Sequence, residues 1–160
     1  MLIQIRVIKP MSIAYNKLWR DFMRYLIKYF ILFSIGGIAY FLGEILWRGW
    51  SHWSMFVLGG TCFVLIGVIN ELFSFETPFL VQMIIGTFII TVLEFSAGCI
   101  LNLYLGLGIW NYSDMPMNIL GQVCLPYVFG WFLLTPVCIV LDDYLRHFFF
   151  DEEKPRYKFI

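Results

Sequence analysis

The sequence predicts an all-α fold: a polytopic membrane bundle of four transmembrane helices, preceded by an amphipathic interfacial helix. Three observations lead there. Of the 160 residues, 61% are hydrophobic and only 14% are charged, whereas a soluble domain is about half apolar and about a quarter charged. Four apolar stretches each exceed the roughly 18 residues that can cross a bilayer as a helix. The charges gather near the two ends and leave the middle almost bare.

Residues 12–29 read as the interfacial helix. Lys17, Arg20, Arg24 and Lys28 recur three or four apart and share one face, while Leu18, Phe22, Leu26 and Tyr29 line another. The cations then meet anionic headgroups and the apolar face enters lipid. A cytoplasmic partner docking on this helix is the alternative. The spans follow at about 26–47, 53–73, 78–103 and 118–141. At about 1.5 Å per residue they measure about 31–39 Å, so the longer ones can tilt. The charged tail, 146–160, contains Pro155 and reads as a short mobile cytoplasmic end. Residues 1–160 thus form a single integral membrane domain. No signal-peptide cleavage site precedes the first span, and Met11 is an alternative start.

Arg6, Lys9, Lys17, Arg20, Arg24 and Lys28 precede span 1, and Arg146, Lys154, Arg156 and Lys158 follow span 4. Cationic flanks stay in the cytoplasm. The expected protein is therefore multi-pass in the cell membrane with both termini cytoplasmic. The turn 48–52 and the segment 104–117 face outward, and 74–77 faces inward. The net charge is zero, and no nucleic-acid partner is expected. Without a G-x-x-x-x-G-K-[ST] loop the chain carries no P-loop ATPase of its own. Cys62, Cys99, Cys124 and Cys138 fit no zinc or redox spacing and read as small packing residues.

This topology puts the polar residues of the spans on one side. Tyr40, Glu44 and Arg48 recur at i, i+4, i+8, as do Glu94, Gly98 and Asn102, and Asn118 and Gln122 lie four apart at the start of span 4. With His52, seven polar groups (Glu44, Arg48, His52, Glu94, Asn102, Asn118 and Gln122) fall in the outer half. The inner half has almost nothing polar before Glu71, Glu76, Asp142 and Asp143 at its boundary. Glu94 stands well inside span 3, where a charged carboxylate costs about 2.5–3.5 kcal/mol even on the lenient insertion scale. It must pair, face a cavity or take up a proton. Arg48 is the one cation on that side and can offer donors to Glu44, Glu94 or both. Two blander readings compete: Glu44 and Arg48 snorkel at a helix end, and the amides merely tie helices together. Trp47, Trp50, Trp53 and Trp110, with Tyr112, read as an aromatic belt or as the wall of a binding site. No His spacing supports a metal site, and no cofactor is expected. Asn111-Tyr112-Ser113 fits a glycosylation sequon.

The segment WNYSDMPMNILGQVCL (110–125), GE…WRG before it and LEFSAG in span 3 together resemble the bacterial CmpB-like ABC-transporter type IV membrane family. Animal transmembrane protein 229 resembles it distantly. The matching positions are Glu44, Arg48, Gly49, Glu94, Gly98, Trp110, Tyr112, Ser113, Pro116, Asn118 and Gly121, within about residues 34–135. Two departures mark a divergent branch: Asn111 replaces a usual Asp, and WSHWSMFVLGG replaces a proline-rich stretch. The resemblance implies a permease-like transport component with an outward polar vestibule. Four helices make a thin wall, so a homo-oligomer or another membrane subunit is expected, besides the lipid bilayer itself and a separate ATPase. The alternatives are a structural or regulatory membrane protein and a membrane-embedded enzyme acting on a lipid or lipid-linked substrate. No nucleophile arrangement supports the enzyme.

Overall fold

A computed structural model describes residues 5–73 and 77–158, with side chains from 15 onward. Glu76 and residues 1–4 lie outside the described residues, as do the side chains of Arg6 and Lys9. The elements are α1 (Ile5–Arg48), α2 (Trp53–Gly67), α3 (Ile69–Leu72), α4 (Phe79–Gly98) with a π-helical continuation (Cys99–Tyr104), and α5 (Leu125–Phe150). Among the described residues, four helices are long and apolar enough to cross a membrane. Among the described residues the only β pairing is an isolated bridge between Ile119 and Val123.

The chain divides into two compact units, Met1–Ile31 and Leu32–Ile160. In the first, Leu18, Trp19, Phe22, Leu26 and Phe30 are exposed. Tyr15 and Trp19 meet edge to face at 6.0 Å, and Lys28 Nζ lies 5.0 Å from the Tyr29 ring. Apolar and aromatic groups left uncovered in this way suit contact with lipid.

In the second unit α1 and α2 run antiparallel at backbone contact. A Cβ on Gly37 would lie 2.6 Å from the Phe56 carbonyl oxygen, and one on Gly60 2.6 Å from that of Phe33. Only glycine permits this approach, which replaces side-chain interdigitation by direct backbone packing. The apolar core joins α2, α4 and α5 through Cys62, Ile66, Ile90 and Ile139, and takes in Ile69 of α3. Gly49, at φ 81°, ends α1 in the left-handed conformation that helix C-termini favour. His52 then caps α2, its Nδ1 accepting from the Ser54 amide at 3.3 Å.

Two boundaries differ from the sequence reading. The last long helix starts at Leu125, not near 118, so Asn118 and Gln122 lie on the preceding loop. Met117, Leu120 and Gly121 all take positive φ there, which a helix cannot accommodate. Pro126 then fits the first turn of α5, where its missing N–H costs nothing. The tail is not a free end either. The helix runs on to Phe150, and Asp151 reverses the chain at φ 57°. The Phe79 amide then donates to the Lys158 carbonyl at 2.7 Å, and Tyr157 packs on Phe79 with ring centres 4.9 Å apart.

Candidate functional site

Glu44 and Arg48 form the expected i,i+4 pair at the end of α1, with Arg48 Nη2 2.9 Å from Glu44 Oε2. Ser51 Oγ donates to the same carboxylate at 2.6 Å. The guanidinium lies 4.6 Å from the centre of the Trp50 ring and donates through Nη1 to the Ile109 carbonyl at 3.0 Å. Its Nε is buried and has no partner. Arg48 is the last residue of α1, where the helix dipole favours a cation.

Glu94 is 4% exposed. Its partners are not Arg48 but Tyr112, whose hydroxyl donates to Oε1 at 3.2 Å, and Trp131, whose Nε1 donates to Oε2 at 2.7 Å. Each carboxylate oxygen thus receives one neutral donor. Burial, and then the charge of Glu94, hold the Tyr112 phenol well above its ordinary pKa, so it stays a donor. Tyr112 also stacks on Tyr127 at 4.5 Å, which fixes its ring. Of the partners the sequence left open for Arg48, it takes Glu44 directly and reaches Glu94 only indirectly. Arg48 anchors the Ile109 carbonyl, and three residues later Tyr112 reaches Glu94.

The remaining polar positions hold that loop in shape. Asn102 Nδ2 donates to Gln122 Oε1 at 2.8 Å, and Asn102 Oδ1 accepts from the Ile109 amide at 2.7 Å. Trp110 Nε1 donates to the Gln122 carbonyl at 2.9 Å. Gly98 leaves room for Gln122: a Cβ there would lie 2.6 Å from its Oε1. Asn118 donates to the carbonyls of Met115 and Ser113 and accepts from the Gly121 amide at 3.1 Å. Asn111 accepts from the Ser113 amide at 2.9 Å and from its hydroxyl at 2.6 Å. Two side chains folding their own backbone into turns explain why Asn serves at these positions.

A cavity of about 770 Å³ is lined by α1 and α5, by parts of α2 and α4, and by the loop before α5. Glu44, Arg48, Glu94, Trp110 and Tyr112 line it; His52, Asn102, Asn118 and Gln122 do not. Tyr40, Tyr127 and Trp131 also line it. The sequence placed Tyr40 on the Glu44 face, but nothing in the spacing of α5 marked Trp131 as a partner of Glu94. Its indole is the sole polar group of an otherwise apolar turn.

A second polar centre lies at the other end of the bundle. Arg146 is 3% exposed and pairs with Glu71 and Asp142. Asp143 accepts from Asn70 Nδ2 at 2.7 Å and from the Tyr157 hydroxyl at 2.9 Å. Gly67 packs directly against the Asp142 carboxylate. The i,i+4 spacing of Asp142 and Arg146 was a signal for this pair. Tyr157 carried none.

Fold and site together define an all-helical multi-pass membrane protein with a pocket between its helices. The chain belongs to the family described as "Putative ABC-transporter type IV", whose profile matches residues 28–157. That match extends beyond both limits of the resemblance read from the motifs. No curated protein and no solved structure matches the chain.

Proposed function

We propose that this protein is the membrane component of a transporter, and that its substrate enters the cavity that α1 and α5 line. The cavity carries the reading because three charged-type side chains, the Glu44–Arg48 pair and Glu94, line it inside a bundle of apolar helices. Intramembrane carboxylates are costly and mark substrate or ion pathways. The family description agrees with a role in ABC-type transport. The cations flanking the four helices favour both termini in the cytoplasm of a cell-membrane protein, with the Arg48 end outward. The separate ATPase and a second membrane subunit, or further copies of this chain, complete the assembly.

The test compares cells expressing and lacking the protein across a panel of radiolabelled solutes and lipids. Any tracer whose movement depends on the protein is measured again with Glu94→Gln at matched membrane abundance. Transport is expected to fall to background. Full transport by that variant overturns the reading. A structural or regulatory role is the second reading, supported by the complete pairing of Asn102 and Gln122 with each other and with the loop backbone. It expects Arg48→Gln to lower thermal stability while leaving transport of the same tracer unchanged.

A further inference from the structure

We infer that the cavity binds a lipophilic organic cation, of the quaternary ammonium or phosphonium kind, held beside Glu94 by aromatic rings. This names a substrate class for the transport reading above and rests on it. Charge is the first support. Glu44, Arg48 and Glu94 line the cavity, two carboxylates against one guanidinium. Arg48 pairs with Glu44. Glu94 is held by two neutral donors, Tyr112 and Trp131, and no ion pair among the described residues includes it. Inside a bundle of apolar helices an ionised carboxylate without a counter-ion is costly. A bound cation supplies the charge that the chain does not, whereas an anion would add to the excess.

The rings supply the second support. Tyr40, Trp47, Trp110, Tyr112, Tyr127 and Trp131 all belong to the lining. Tyr112 stacks on Tyr127 at 4.5 Å, and Tyr40 meets Trp131 at 6.0 Å. One member of each pair donates to Glu94. The carboxylate therefore stands between two pairs of rings. Aromatic faces attract a cation most strongly where water is excluded. Here that attraction is joined to a full opposite charge.

The engaged oxygens supply the third. Both oxygens of Glu94 already accept a hydrogen bond, and both oxygens of Glu44 lie against Arg48. A primary amine or a guanidinium brings several N–H groups and finds few acceptors left. A quaternary cation brings none, so charge and ring faces satisfy it. The rest of the wall is hydrocarbon, with Leu58, Ile66, Ile90, Leu134, Val137 and Leu141. Leu134, Val137 and Leu141 are also exposed. The apolar arms of the ligand thus meet a wall that continues onto the exposed flank of α5.

The probe is tritiated tetraphenylphosphonium, added to the purified full-length protein in neutral detergent, with empty micelles as the blank. Tetraphenylborate, of similar shape and opposite charge, is the comparison. Saturable binding of the phosphonium alone is expected. Glu94→Gln should weaken it about tenfold or more, the loss of one full charge in a partly desolvated site. Arg48→Gln should tighten it, because the lining then loses its positive charge. Tyr127→Leu should weaken it about threefold and Tyr127→Phe should not, since only the ring face is at stake. Gly130→Leu should block it. A Cβ there meets nothing within 4 Å, so this variant fills the cavity without straining the fold. Equal binding to the parent and to Glu94→Gln, or equal binding of the two ions, would mean a hydrophobic sink only and overturn the assignment. Weaker binding by monodisperse Arg48→Gln would reverse the charge preference and overturn it too. So would the absence of binding together with disulfide-linked pairs of Gly130→Cys chains that the parent does not form, which would seat a second copy in the cavity. No binding, with a transported tracer still lost in Glu94→Gln, removes the cation and keeps the transporter. Saturable binding lost in Glu94→Gln, with no tracer in the panel depending on the protein, keeps the cation site and removes the transporter.

Discussion

Two acid–arginine pairs of the same spacing stand at opposite ends of the bundle, Glu44–Arg48 in α1 and Asp142–Arg146 in α5. By sequence they are near twins. Each has the acid one turn before an arginine near a helix C-terminus, where a cation is favoured. The structure separates them. Arg48 and Glu44 keep 23% and 14% of their side chains exposed and border a cavity. Arg146 and Asp142 keep 4% and 0%, and Glu71, Asn70, Asp143 and Tyr157 close the network around them. The pair at the cavity keeps part of its charge open to solvent. The closed pair locks α3, α5 and the returning tail together. Spacing alone does not reveal which role an intramembrane ion pair has; the company it keeps does.

The largest effect should come from breaking the closed pair. Arg146→Gln leaves Asp142 buried without its cation and should cost about 3–5 kcal/mol of stability, read as a fall in melting temperature in detergent. If that variant melts like the parent, the distinction between the two ends fails. Arg48→Gln should cost about 1 kcal/mol or less, because solvent and Ser51 still reach Glu44. Equal losses at the two ends would erase the contrast. Glu94→Gln keeps an acceptor for Tyr112 or Trp131 and should also lower stability by about 1 kcal/mol. On the proposed transport reading, its larger effect is on movement of the tracer.

The smallest effect tests the tail. Tyr157→Phe should cost about 0.5–1.5 kcal/mol at neutral pH through the lost bond to Asp143. Burial, and then the charge of Asp143, raise the Tyr157 pKa above its usual value. A raised folded value means that the unfolded chain ionises first. The contribution is therefore complete below about pH 10, the unfolded phenol pKa, and declines as pH rises above it. The stability difference between parent and variant should shrink over that alkaline window. A constant difference would show that the hydroxyl does not titrate with folding.

The sequence by itself determined the four apolar helices, the one-turn spacing of Glu44 with Arg48, and the distinctive 110–125 segment. Hydrophobic length, helical period and motif are local properties, legible without knowing which faces meet. It did not determine where α5 begins, because the positive φ of Met117 and Leu120 depends on the turns that Asn118 and the loop impose. Nor did it choose the partners of Glu94. Arg48 looked like the natural counter-ion, since charge is visible in a sequence. The indole of Trp131 and the hydroxyl of Tyr112 won because α5 and the loop carry them to within hydrogen-bond reach of the carboxylate. The cavity, the closed network at Arg146 and the folded-back tail belong to tertiary structure for the same reason. Each depends on distances between residues far apart in the chain, and periodicity carries no information about those.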